Sequence, residues 1–163
     1  MIGVDCGSTC TGVGVIESDG RRHRVLHYGA IRSPRSRSFA DRLQHSHREL
    51  EKLVARYQPH SIALEQVFQA FNVKSAMQLS QVRGMVLLAA ARAGLPVREY
   101  SALTVKSSVV GYGRAEKHQV QRMVQRLLDL PSPPEPDDAA DALAVALCHI
   151  HTETARQRLA SQR

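Results

Sequence analysis

Three features are scarce in this 163-residue chain, and each scarcity removes a class of protein. Cysteine is down to three, Cys6, Cys10 and Cys148, an odd number without the paired spacing of a zinc site or a disulfide framework, which fits a reducing cytoplasm. Long apolar runs are missing: nowhere do about 18 apolar residues follow one another, so no membrane-spanning helix is expected. Met1-Ile2-Gly3-Val4-Asp5 meets a carboxylate before any apolar stretch develops, so no export signal is expected either. Negative charge is also short, with 15 Asp and Glu against 22 Lys and Arg, a formal net charge of +7. That balance favours a polyanionic partner without naming one, and simple solubility would account for the same excess. No internal repeat is present, which removes solenoids and propellers.

What remains is an ordinary globular composition, 43% hydrophobic and 23% charged, long enough for one sizeable core. The reading is one domain over residues 1–153 and a polar, frayed C-terminal tail over 154–163. Ile2 to Cys6 and Gly12 to Glu17, separated by Gly7-Ser8-Thr9, read as a β-hairpin, and after the Asp19-Gly20 turn a third strand runs from His23 to Ile31. Phe39, Leu43, Leu50, Leu53, Val54 and Tyr57 recur at helical spacing before Pro59. Ser61 to Glu65 reads as a buried strand, Val73 to Ala93 as a long helix stopped by Gly94-Leu95-Pro96, and Val97 to Tyr100 as a fifth strand. A short helix through Val105 and Val109, a glycine-flanked loop at Gly111-Tyr112-Gly113 and a helix through Val120, Val124 and Leu127 follow. A proline-rich connector, residues 131–136, leads into a last helix from about Asp137 with Leu143, Leu147 and Ile150 on one face. Three antiparallel strands followed by alternating helices and strands describe an α/β domain, a mixed sheet with helices on both faces.

Four carboxylates stand where solubility explains them poorly. Asp5 ends an apolar strand, where an ionised acid must be paired, hydrogen-bonded or bound to a metal; capping of the Gly7-Ser8-Thr9 turn would also explain it. Glu65 ends a second apolar strand, at the edge where open α/β sheets often place their ligands, although an edge glutamate in solvent fits too. Asp138 and Asp141, three apart, share one helix face. The macrodipole of a first turn accounts for Asp137 and Asp138 without chemistry, but Asp141 lies beyond it between Ala140 and Ala142. A cluster of hard oxygens without His or Cys suits Mg²⁺ or Mn²⁺, and two such ions suit phosphodiester hydrolysis. His118, His149 and His151 read as basic and surface residues rather than ligands.

Gly3-Val4-Asp5-Cys6-Gly7-Ser8, Ala63-Leu64-Glu65-Gln66-Val67-Phe68 and Asp138-Ala139-Ala140-Asp141-Ala142-Leu143-Ala144 resemble the three acidic motifs of RuvC Holliday-junction resolvases. Val105-Lys106 and Val109 to Lys117 resemble the family's basic segment. The similarity runs from Ile2 to about His151 in order. It implies a ribonuclease H-like fold with a five-stranded sheet, a homodimer with much of its interface on the helix from Val73, and symmetric nicking of a four-way junction in recombination and repair. It further implies that Asp5, Glu65, Asp138 and Asp141 are catalytic and bind two Mg²⁺ ions, with Mn²⁺ able to substitute, and that Phe68, Lys106 and Lys117 contact DNA, Phe68 by stacking on a base. Junction-binding and branch-migration proteins of the RuvA and RuvB type are the implied partners. Cys6 stands where proline is common in the family, a departure that bears on the strand exit and raises the question of oxidation beside a metal site.

Two other readings use the same residues. Asp5 to Gly12 also resembles the phosphate loop of the actin and sugar-kinase fold, but that fold needs a second lobe for which this chain has neither length nor repeat. A related nuclease acting on RNA or another branched nucleic acid, or a junction-binding module without catalysis, would use the same fold.

Overall fold

The computed structural model describes residues 1–66 and 72–161. The chain opens with β1 (Ile2–Asp5), β2 (Cys10–Ser18) and β3 (His23–Arg32), continues through α1 (Phe39–Tyr57), β4 (Ile62–Glu65), α2 (Val73–Arg92) and β5 (Val97–Tyr100), and ends with α3 (Ala102–Val110), α4 (Lys117–Leu127) and α5 (Asp137–Ala160). The strands form one sheet in the order β3-β2-β1-β4-β5. β1 pairs antiparallel with β2 and parallel with β4, so the meander at the start and the crossovers that follow meet at the first strand. The expected mixed α/β sheet is present, and the strand and helix starts follow the sequence reading closely.

The alternation of side chains along the strands sorts the core into two layers. Ile2, Val4, Val13, Val15, Ile62 and Leu64 point to one face and pack with Leu50 of α1 and Val82, Val86 and Ala89 of α2. Ala63 and Ile16 point to the other, where α3, α4 and α5 supply Val105, Val120, Val124, Leu143 and Leu147. The sequence suggested that α5 was apolar on one face. From Ala139 to Ile150 every residue except Asp141 is buried, because the helix lies between the sheet and the α3–α4 pair and has apolar neighbours on all sides.

Three positions of the strand face that meets α5 carry no side chain. At Gly3 a Cβ would stand 2.8 Å from the Ala146 nitrogen and 2.9 Å from its Cβ, and at Gly14 it would meet Leu143 Cδ2 at 2.8 Å. At Gly12 it would strike the Asp138 carbonyl. Glycine here lets the helix backbone settle on β1 and β2.

Two expectations need correction. α5 does not fray after His151 but continues to Ala160, with the Thr152 hydroxyl donating to the Cys148 carbonyl at 2.8 Å and an Arg156–Glu153 pair at 2.8 Å supporting the extra turns. His149 is not a surface residue: it is buried, with its ring nitrogens on the Tyr100 hydroxyl at 2.8 Å and the Ser61 hydroxyl at 3.0 Å, so it is a satisfied core histidine. Among the described residues no helix is long and apolar enough to cross a membrane.

Candidate active site

The period of two that fills the core also brings the acids together. Ile2 and Val4 of β1 face α1 and α2, Gly3 faces α5, and the next step of the alternation carries Asp5 to the α5 side. β4 repeats the pattern beside it: Gly3 is paired with Ala63 and Val4 with Leu64, so Glu65 ends its strand next to Asp5 and on the same side. α5 crosses this end of the sheet with the Asp138 carbonyl over Gly12 and the Ala142 carbonyl over Gly3, which sets Asp138 and Asp141 at the same edge. All four carboxylates are half-buried.

Their electrostatics record the convergence. Burial, then the charges of Asp141, Glu65 and Asp138, push the Asp5 carboxyl up from 3.8 to about 7, against the pull of Lys117. Glu65 is raised by burial and by Asp141, with Lys106 and Lys117 opposing. Asp141 is raised by burial and held back by Lys117, whose ammonium stands 2.9 Å from its Oδ2 and 3.4 Å from Asp137 Oδ2. Lys117 itself is lowered by burial but raised further by its bonds to Asp141. Glu65, Asp141, Lys106 and Lys117 line a cavity of about 260 Å³ with Val105 and Val120.

Two of the alternatives raised by the sequence are not what the side chains do. Asp5 faces three carboxylates and a lysine rather than capping the turn at residues 7–9, whose Gly7 carbonyl accepts from Thr11 Oγ1 at 3.2 Å. Glu65 sits among charges of the site rather than free in solvent. Asp137 and Asp138 both lie in the first turn of α5, where the macrodipole favours them, and Asp137 takes Gln121 Nε2 at 2.7 Å at the outer rim. Cys6 is buried in the α1–α2 core layer and its thiol is pushed up to about 12, first by burial, so a reactive thiolate is strongly disfavoured there. Phe68 lies outside the described residues.

Cys10 was not singled out in the sequence. Its Sγ donates to Asp138 Oδ2 at 3.1 Å. The signal is in the strand: Cys10, Gly12 and Gly14 alternate with Thr11 and Val13, so the residue that precedes the two glycines by the same period points at α5 where Asp138 begins.

Among the described residues no group of three or more Asp, Glu, His or Cys side chains stands ready to hold a metal ion. The donor chemistry nevertheless fits a hard divalent ion: four carboxylates from three elements share one edge of the sheet with no imidazole among them, and the proton affinity of three of them is raised first by burial and then by neighbouring carboxylates whose charge a cation would offset. An ion that keeps much of its shell for water and phosphate is bound through one or two carboxylates and needs no preformed cluster of three.

The model of the family described as crossover junction endodeoxyribonuclease RuvC matches residues 1–149. A protein of that name from Heliobacterium modesticaldum is 51% identical over 154 residues, covering 94% of this chain and 95% of its own length. One from Koribacter versatilis is 48% identical over 160 residues, covering 98% and 96%. Among solved structures, T. thermophilus RuvC in complex with a Holliday junction substrate superposes with a TM-score of 0.90 at 32% identity, covering 94% of each chain.

Proposed function

The chain belongs to the RuvC family of crossover junction endodeoxyribonucleases, and on that premise we propose that it resolves Holliday junctions by hydrolysis at the four-carboxylate edge of its sheet. The observation that carries the reading is the convergence of Asp5, Glu65 and Asp141 with Lys117 in a chain matched by the family over nearly its whole length. A related nuclease acting on RNA is not favoured, since the relatives are named for deoxyribonucleotide cleavage at a crossover junction.

Asp5, Glu65, Asp138 and Asp141 would hold the metal, which we assign as Mg²⁺, with Mn²⁺ able to substitute, from the all-oxygen donor set. When bound, the metal supplies an activated water and offsets charge on the phosphate. Asp5 must first give up the proton it holds up to about pH 7, which makes the site a better cation binder above neutrality. Lys117 opposes the rise in the Asp141 carboxyl, and with Lys106 it places positive charge beside the acids where a phosphate would sit. The products carry 5′-phosphate and 3′-hydroxyl ends.

Symmetric cuts require two copies of the site. α2 supports a homodimer: Val73, Met77 and Leu88 are exposed, and a Cβ at Gly84 would meet nothing within 4 Å, leaving room for a second helix. We assign Phe68 to the crossover base and the RuvA- and RuvB-type proteins as partners on the resemblance already described. A cytoplasmic location accords with three free cysteines.

The test is a labelled four-way junction, a linear duplex and an RNA–DNA hybrid, each with Mg²⁺ and with EDTA. Paired nicks confined to the junction and lost in EDTA are expected. Cleavage of the hybrid alone would move the chain to another branch of the fold.

A further inference from the structure

We infer that a cationic groove between β3 and α1 carries one duplex arm of the junction away from the cutting site, by contacts to the phosphate backbone alone. The inference rests on the junction-resolving function above and adds a binding surface to it.

The groove begins at the acids. Arg32, the last residue of β3, is the register partner of Cys10, whose thiol is bonded to Asp138. From there a hollow of about 470 Å³ runs between the edge strand and α1, flanked by Arg32 and His27 on one wall and by His45, Lys52 and Arg56 on the other. Its floor is open because Gly29 has no side chain: a Cβ there would meet only the far end of the His27 ring, at 3.9 Å. Through His45 it joins a second hollow of about 260 Å³ that includes Arg37 and Arg48.

Five cations, Arg32, Arg37, Arg48, Lys52 and Arg56, face two carboxylates along this path. The carboxylates are already engaged: Asp41 Oδ2 accepts the Ser38 hydroxyl at 2.6 Å, and Glu49 pairs with Lys52 at 2.7 Å. The other arginine and lysine ion pairs of the described residues leave Arg32, Arg37, Arg48 and Arg56 without a carboxylate within 4.0 Å. The Arg32 guanidinium is turned to Cys10, which leaves three guanidinium groups, those of Arg37, Arg48 and Arg56, open to an anion. Arg56 is braced at the far end, 5.2 Å from the Tyr57 ring, which in turn stacks on His27.

The dimensions match a duplex. Arg48, Lys52 and Arg56 follow one another at four-residue intervals, about 6 Å along the helix, and the path from His45 to Arg56 is about 16 Å. The wall from His27 to Arg32 is also about 16 Å. A DNA strand presents one charge per about 3.4 Å of axis, so the groove spans about five phosphates of one strand. Cations without recognition elements for base edges position a duplex and do not read its sequence, which is what a protein holding the arms of junctions of any flanking sequence requires.

The experiment measures junction affinity in EDTA as a function of salt for the wild type, for the variant R37Q/R48Q/R56Q, and for R37K/R48K/R56K. Losing three phosphate contacts should lower the slope of log K against log salt by about 2.7, so that between 50 and 200 mM salt the wild type loses about 40-fold more affinity than the glutamine variant. The lysine variant should keep the wild-type slope. On a junction whose arms are trimmed too short to enter the groove, wild type and glutamine variant should bind alike. A glutamine variant that melts like the wild type and keeps its slope on long arms overturns the inference while leaving the resolvase reading intact, provided the wild type binds and nicks the junction. A wild type that prefers no junction removes both.

Discussion

Asp5→Asn should make the metal-free protein more stable at alkaline pH while ending its ability to cut. Asp5 is crowded by burial and by three carboxylates, and its carboxyl ionises at about 7 in the fold against 3.8 in a free side chain. Between those values the folded chain holds a proton that the unfolded chain has released, so folding stability falls as pH rises through the interval and stays reduced above it. A displacement of about 3 units corresponds to at most about 4 kcal/mol. For a domain of this size each kcal/mol moves the melting temperature by about 2–4 °C, so the variant should melt up to about 8–16 °C higher than the wild type at pH 8.5 in EDTA. At pH 4, where Asp5 is neutral in the fold, the gap should close. Added Mg²⁺ should raise the wild type and leave the variant nearly unmoved. Thermal denaturation across pH 4–8.5 reads all of this, and a variant that melts at or below the wild type at pH 8.5, or a gap that does not change with pH, would refute the account of the site as mutually repelling acids.

Lys117→Met removes the cation 2.9 Å from Asp141, so Asp141, Glu65 and Asp5 should all bind protons more tightly, and the acid limb of the cleavage pH profile should move to higher pH; an unmoved limb would mean that Lys117 does not tune the acids. Gly3→Ala would drive a methyl group into the α5 backbone at Ala142 and Ala146 and should cost about 3 kcal/mol or more in urea denaturation. Tyr100→Phe strips the hydroxyl from the buried His149 Nδ1 and should cost about 1–3 kcal/mol, a loss that the same titration would detect.

Much of the fold was legible because local chemistry and tertiary position agree. α1 starts and ends where the apolar spacing and Pro59 put it, and β5 follows Gly94-Leu95-Pro96 as expected. Asp5 and Glu65 were legible because an acid at the end of a buried strand contradicts its surroundings. The character of α5 was less so: small residues such as Ala139, Ala142 and Ala146 blur the distinction between a helix apolar on one face and one enclosed on every side, and only the sheet's glycine face shows how deeply it sits. His149 was misread for the same reason, since its partners Tyr100 and Ser61 are 49 and 88 residues away in sequence. Cys10 depends on strand register, and the groove along α1 depends on which edge of the sheet β3 occupies, neither of which is a local property.

The most direct test of the account is the single-turnover nicking rate of Glu65→Gln on a four-way junction at saturating protein in Mg²⁺, alongside its junction affinity in EDTA. The account predicts wild-type affinity with nicking lost by about 10³-fold or more, because the carboxylate acts on the chemical step and not on docking. Nicking at the wild-type rate would contradict the assignment of the four-carboxylate edge as the place where the strand is cut.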